Sequence, residues 1–361
     1  MNARRFPLIA TAMLLLCLAL ADSAAARYDP IASGTTTLTF AKSFSALLKA
    51  NGVKLKAKSG ASFKAGVATF PVSGGKLEPV SVVGSVEHEG VLVFQAGGHS
   101  LPLKSLTLKT TQAHSPLTAK FGGGQLKIAT GATLTSKRSG FGVGAKVTQI
   151  RLSAKVATRL DKKLGLRGVF TEGRLLGSSL TNAQPETVTV KEGGRAELTL
   201  APEFASKLSS LFVAVNPIFP AEHLGAPFTL RVSDGQIAPD ASSGTLETAG
   251  SLELIQQDGG QAFFRELAPE LGLASTRSEY QFIPSPTSPG PTVTGPLLGL
   301  GAGTVVSEPK ARTISEAGAP LPLTDATAQA LNETFAKPQG KANIFVAGES
   351  LGTLSFNVVA E

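Results

Sequence analysis

Leu38-Thr39-Phe40-Ala41, followed by Phe44 and Leu48, returns later in the chain as Leu198-Thr199-Leu200-Ala201, followed by Phe204 and Leu208. The same step carries Gly75, Leu77 and Pro79 onto Gly235, Ile237 and Pro239. It also carries Gly84, Val86, Gly90 and Leu92 onto Gly244, Leu246, Gly250 and Leu252. Each pair is 160 positions apart, so one register holds without a gap across nearly sixty residues. Further on, Leu152, Leu160 and Leu164 match Leu323, Leu331 and Phe335 at an offset of 171, and Gly173, Leu176 and Gly177 match Gly348, Leu351 and Gly352 at 175. The added residues fall in the middle of the unit and in one late loop, where insertions cost little. Apolar and glycine positions recurring in one order are what a duplicated fold leaves behind.

Each copy is about 150 to 170 residues long, enough for a core of its own. The expected organisation is a first domain over 27–183 and a second over 184–361, with Gln184-Pro185-Glu186 at the joint. A proline-rich insertion around 284–296, beginning Pro284-Ser285-Pro286-Thr287, cannot occupy a sheet centre and reads as a loop or linker inside the second copy.

The local pattern is mostly strand. Val53-Lys54-Leu55-Lys56-Ala57-Lys58 alternates with period two, which puts lysines on a wet face and apolar groups inside. Val67-Ala68-Thr69-Phe70-Pro71-Val72 is a second strand whose proline argues for an edge or a bulge. Gly84 to Phe94 reads as a hairpin. Short helices are predicted over Ala41–Ala50 and Ala154–Leu164, echoed over Pro202–Ser210 and Thr324–Ala336, with Thr324 or Asp325 as a cap. The fold class is therefore mainly β: two tandem β-sandwich-like domains with short helices, a barrel being the alternative.

Before the first copy, Met1-Asn2-Ala3-Arg4-Arg5 is positive, Phe6 to Ala21 is apolar, and Ser23-Ala24-Ala25-Ala26 offers small residues for cleavage. That is the layout of a secretory signal peptide over 1–26, and it places the mature protein in the cell envelope or outside the cell. Cys17 is the single cysteine and lies within that stretch, so the expected mature chain has no disulfide and no cysteine metal site. No later apolar run is long enough for a transmembrane helix.

Charge divides between the copies. From Arg27 to Leu180 there are 22 Lys or Arg against 6 Asp or Glu, while from Thr181 to Glu361 there are 10 against 19. Opposite signs suit either attraction between the copies or a basic unit turned toward an anionic envelope polymer or surface protein. Nucleic acid is a poor partner for an exported chain whose aromatics sit in apolar patterns and not on spaced stacking platforms.

Catalytic signatures are sparse. There is no phosphate loop, nucleophile elbow or histidine pair at metal spacing, which points away from an enzyme. Of His88, His99, His114 and His223, the one in a notable setting is His88, within Glu87-His88-Glu89. Flanking carboxylates raise a histidine's proton affinity and orient it toward a ligand; the plainer reading is a charged, exposed hairpin tip. His99 and His114 read as surface loop residues, and His223 has no counterpart in the first copy.

The opening Leu38 to Leu48 stretch, then Gly84-Ser85-Val86-Glu87-His88-Glu89-Gly90-Val91-Leu92-Val93-Phe94, resembles the HtaA domain, the haem-binding domain of actinobacterial envelope proteins. The resemblance implies a secreted or surface location, tandem copies, and partners among haem-uptake components. It implies haem as cofactor, with His88 as a cofactor-binding residue and Phe44 and Leu48 lining the pocket. This sequence departs from the family where iron is held. The tyrosine that ligates haem in the family falls at Leu47 or Leu48 here, and at Lys207 or Leu208 in the second copy, where Thr248 takes the place of His88. Tyr28 and Tyr280 are the chain's only tyrosines, and neither is at that position. Leucine offers ferric iron nothing. The sequence thus supports an exported, non-enzymatic binding or structural protein, with haem acquisition or relay as the alternative.

Overall fold

Alternating residues build strands, and in a computed structural model nearly every segment with that alternation is one. The structure describes residues 27–361 apart from 122, 123, 224–226, 258, 286 and 288; the expected signal peptide over 1–26, with Cys17, lies outside the described residues.

The first copy supplies β1 (Asp29–Phe40), β2 (Lys54–Lys58), β3 (Ser62–Lys64), β4 (Val67–Leu77), β5 (Gly84–His88) and β6 (Val91–Ala96). It continues with β7 (His99–Thr110), β8 (Ser115–Phe121), β9 (Gly124–Gly131), β10 (Thr133–Ser139), β11 (Gly142–Leu152) and β12 (Leu175–Pro185). These form one sheet in which β7-β5-β4-β1-β12-β11-β9-β8 run side by side, and β8 pairs back onto β7 to close the ring. That closing ladder matches Lys104 with Lys120, Thr107 with Thr118 and Leu108 with Leu117. Strands β6 and β2 extend from β7 as a flap.

The second copy supplies β13 (Val188–Thr189), β14 (Gly194–Leu200), β15 (Val213–Ile218), β16 (Glu222–His223), β17 (Phe228–Ile237) and β18 (Gly244–Ala249). After them come β19 (Ser251–Gln256), β20 (Gln261–Leu271), β21 (Ser275–Ile283), β22 (Thr292–Gly299), β23 (Thr304–Glu308), β24 (Thr313–Pro322) and β25 (Ser350–Val359). Their order, β20-β18-β17-β14-β25-β24 with β21 and β22 continuing from β20, repeats the first ring strand for strand. It stays open between β22 and β24, where an isolated Leu298–Leu323 bridge and the Gly301 N–H to Pro320 carbonyl bond, 2.8 Å, span the seam.

Two packed sheets per copy are not what forms. Each copy is one continuous sheet that coils on itself, and in the first it closes as a barrel. The alternation that places apolar side chains inside is shared by sandwiches and barrels, so it does not separate them. The coiling comes from register shifts along the strands, such as that between Val72 and Gly74 where β4 meets β5. Pro71 sits just before that shift, at the point where the partner of β4 changes from β3 to β5.

Helices α1 (Lys42–Ala50), α2 (Ala154–Leu164), α3 (Pro202–Ser210) and α4 (Asp325–Leu331) occupy the predicted places. The Thr324 side chain caps α4 by accepting from the Thr327 N–H at 3.1 Å. A π-helical turn, Asn332–Ala336, carries α4 on. The residues from Pro284 to Pro291 join β21 to β22, and Thr292–Pro296 lie within β22.

The copies meet through equivalent positions. Asp29 accepts from the Thr189 N–H and hydroxyl, each at 2.8 Å. Phe141, at the β10–β11 turn, is buried in the core of the second copy.

Candidate functional site

His88 is the last residue of β5, facing Val72 across β4. Strand alternation turns its ring inward while Glu87 and Glu89 point out, so the exposed hairpin tip expected from the sequence is instead a buried histidine, 4% accessible. The flanking carboxylates therefore do not raise its proton affinity. Burial lowers its pKa to about 4, against a smaller opposing effect of the Leu106 carbonyl.

Both ring nitrogens are engaged. Nδ1 lies 3.0 Å from the Leu106 carbonyl oxygen, and Nε2 lies 2.6 Å from Thr36 Oγ1. Thr36 Oγ1 is in turn 2.8 Å from Thr181 Oγ1 across the β1–β12 ladder. A carbonyl only accepts, so Nδ1 carries the proton; in the neutral ring Nε2 then accepts from the Thr36 hydroxyl, and Thr181 donates to Thr36. The chain of bonds has one direction and leaves no imidazole lone pair for a ligand. The Phe70 ring meets the imidazole edge-on at 6.4 Å.

Phe44 is fully buried on α1, stacked on Phe40 at 5.7 Å and tilted against Phe170 at 6.1 Å. Leu48 is buried one turn later. Phe44 lines an apolar cavity of about 30 Å³ with Leu38, Phe70, Leu117 and Leu160, which leaves room for about one water and no more. An open cleft of about 590 Å³ is lined by His88 together with Ser59, Ser73, Glu87, Glu89 and Lys104. Phe44 and Leu48 are not part of it. The three residues named from the sequence thus share one barrel without converging on one pocket.

The repeat gives an internal comparison. Thr248 stands at the place of His88 and donates to the Leu267 carbonyl at 2.7 Å, as His88 does to Leu106. Thr36 becomes Ala196, Thr181 becomes Phe356 and Phe70 becomes Leu230. The polar chain is accordingly a property of the first copy. It lies between two hydrophobic clusters, one around Leu38, Phe44 and Phe70 and one around Ile31, Val86 and Ala183. In the second copy the corresponding layer is apolar apart from Thr248, and a single cluster runs through. Thr36 and Thr181 were not singled out from the sequence; Thr36 shares the inward parity of Leu38 and Phe40, but it sits among Thr35, Thr36 and Thr37, where alternation gives no contrast.

The other histidines and tyrosines are elsewhere. His99 and His114 are exposed, and the backbone of His223 lies in β16. Tyr28 lies at the joint, under Lys76 Nζ at 5.1 Å, and Tyr280 packs on Phe282. Lys207, in the second copy's tyrosine region, is paired with Glu349 at 2.6 Å, and Leu208 is buried. Among the described residues there is no group of three or more His, Cys, Asp or Glu able to hold a metal ion, and no helix long and apolar enough to cross a membrane.

No family model and no curated protein sequence matches the chain. Solved structures with a similar trace include the amino-terminal domain of HtaA from Corynebacterium glutamicum, with 12% identity and a TM-score of 0.37, covering 47% of this chain and 99% of that one. The carboxy-terminal domain of HtaA from the same organism gives 13% identity and a TM-score of 0.36, covering 43% and 98%. The haem-binding protein HtaB, also from Corynebacterium glutamicum, gives 12% and 0.33, covering 48% and 96%. At those scores the likeness carries no statement about function.

Proposed function

We propose that this chain is an exported, non-enzymatic protein of the cell envelope, serving as a binding or structural scaffold that keeps two β-rich copies without a haem-iron site. The observation that carries the reading is His88, whose two ring nitrogens are both spent inside the barrel, on Leu106 and on Thr36. The interior it faces is filled: the cavity lined by Phe44 is about 30 Å³, whereas pockets for cofactor-sized ligands run to about 300–1,000 Å³. Leu47 and Leu48 supply no oxygen to iron where the family resemblance would put a tyrosine.

Adding ferric haem to the mature protein and following its absorption spectrum tests this, with His88→Ala alongside. The scaffold reading expects no saturable one-to-one shift in either protein, each shown to be folded by circular dichroism. A saturable shift in the unaltered protein that is lost in His88→Ala would replace it with haem acquisition or relay.

A further inference from the structure

On the outer face of the first barrel, Lys58, Val91, Lys104 and Lys120 lie in one row across β2, β6, β7 and β8, each matched to the next in register. All three lysines are exposed, and Lys54 and Lys56 lead up to Lys58 on the same face of β2. Lys104 and Lys120 are direct cross-strand neighbours, an arrangement that costs stability when the charges are alike.

The second copy shows what the same row becomes when it is compensated. There the register reads Ile218, Ser251, Arg265 and Glu279, and Arg265 pairs with Glu279 at 2.7 Å. At the positions of Lys54 and Lys56 stand Ala214 and Asn216. Among the described residues no carboxylate lies within ion-pair distance of Lys54, Lys56, Lys58, Lys104 or Lys120. Half of the first copy's six carboxylates are turned to internal duties: Asp29 on Thr189, Glu78 on the backbone of Val80 and Ser81, and Asp161 on the Phe170 N–H.

We propose that this lysine row is a docking surface for an envelope polymer of repeated phosphodiester groups. Like charge held in register with no ion pair, where the sister copy has one, fits a partner that supplies the anions; Glu87 and Glu89 share the cleft beside Lys104 but pair with none of these lysines. Lysines two apart on a strand repeat at about 7 Å, a spacing suited to a linear polyanion with one charge per short repeat. The row contains no arginine, whose planar fork grips carboxylate and phosphate alike; lysine presents a point charge, the manner in which it binds phosphate, so the choice of a phosphodiester rests on the spacing of the charges. The assignment rests on the envelope location proposed above and is independent of haem, so the haem titration stands whichever way the polymer experiment falls.

The test uses the full mature chain and fluorescent poly(glycerol phosphate), with binding read by anisotropy at two salt concentrations. Lys120→Glu is the decisive variant, because it restores the sister copy's charge pattern opposite Lys104. Its melting temperature is expected to hold or rise while affinity falls about thirtyfold, on the scale of two charges changed near an anionic surface. Lys163→Glu, the same charge change at an exposed position of α2 outside the row, is expected to leave affinity within about twofold. Three results overturn the proposal: no salt-dependent binding by the unaltered protein, an equal loss in both variants, or tighter binding of polygalacturonate, a carboxylate polymer.

Discussion

Asp29 and Thr189 occupy the same place in the two copies, 160 residues apart, and they hydrogen-bond each other: the Asp29 carboxylate accepts both the N–H and the hydroxyl of Thr189 at 2.8 Å. Contact between equivalent positions is the signature of a two-fold interface, here within one chain. The hydrogen bonds are buried, so removing the carboxylate leaves the Thr189 N–H unpaired away from water. Asp29→Ala is expected to cost about 1–3 kcal/mol in urea unfolding of the whole chain. Asp29→Asn keeps an acceptor oxygen and is expected to cost less.

His88 gives the protein a pH dependence of known sign. Its pKa is near 4 when folded and near its ordinary value of 6.5 when unfolded. Between those values the unfolded chain binds a proton that the folded one does not, so stability falls as pH drops through that window. The full effect, reached below pH 4, is about 3 kcal/mol. Thermal unfolding from pH 7.5 down to 4 is expected to show this slope in the unaltered protein and to lose it in His88→Gln.

The polar chain through His88 is expected to be replaceable as a unit but not singly. His88→Leu removes the side-chain partner of the Leu106 carbonyl and leaves the Thr36 hydroxyl with Thr181 alone, and should cost about 1–3 kcal/mol. Thr36→Ala, Phe70→Leu, His88→Thr and Thr181→Phe together install the second copy's layer and are expected to recover most of that loss. Equal melting temperatures for the single and combined variants would show that the layer is not transferable.

Gly90 and Gly250 test the duplication directly. Both have φ near +100°, +102° and +108°, and a Cβ on either would come within 2.5 Å of its neighbour, Ala61 in one copy and the equivalent Ala221 in the other. Alanine at each position is expected to destabilise by more than about 1 kcal/mol, to a similar degree in both.

That glycine pair also marks what was legible in the sequence. Residues answering to backbone demands kept their spacing through divergence, so Gly90 and Gly250, and Leu38 and Leu198, were visible as a repeat. Helices were legible for the same reason, since the apolar spacing of Val156, Leu160 and Leu164 is independent of what the helix packs on. Sheet closure was not legible: it depends on β9 meeting β11 through a ladder of only Arg151–Thr130 and Leu152–Ala129, and the second copy, with the same alternation, leaves the equivalent seam between β22 and β24 open. The parity of His88 was legible, since Val86 and His88 alternate with Glu87 and Glu89, but its burial was not, because the same charged run also fits an exposed hairpin tip. The Thr36 and Thr181 partners stand 145 residues apart, on strands whose pairing only the folded sheet reveals.

The tautomer and titration of His88 test the central claim most directly. A long-range nitrogen–proton correlation spectrum of the protein reports which ring nitrogen carries the proton, and a pH series reports where the ring titrates. The neutral Nδ1–H form at pH 7, titrating near pH 4 and unmoved by ferric haem, is the result expected of an imidazole spent on Leu106 and Thr36. A ring that titrates near 6.5, or whose signals shift or broaden specifically when haem is added, would contradict it.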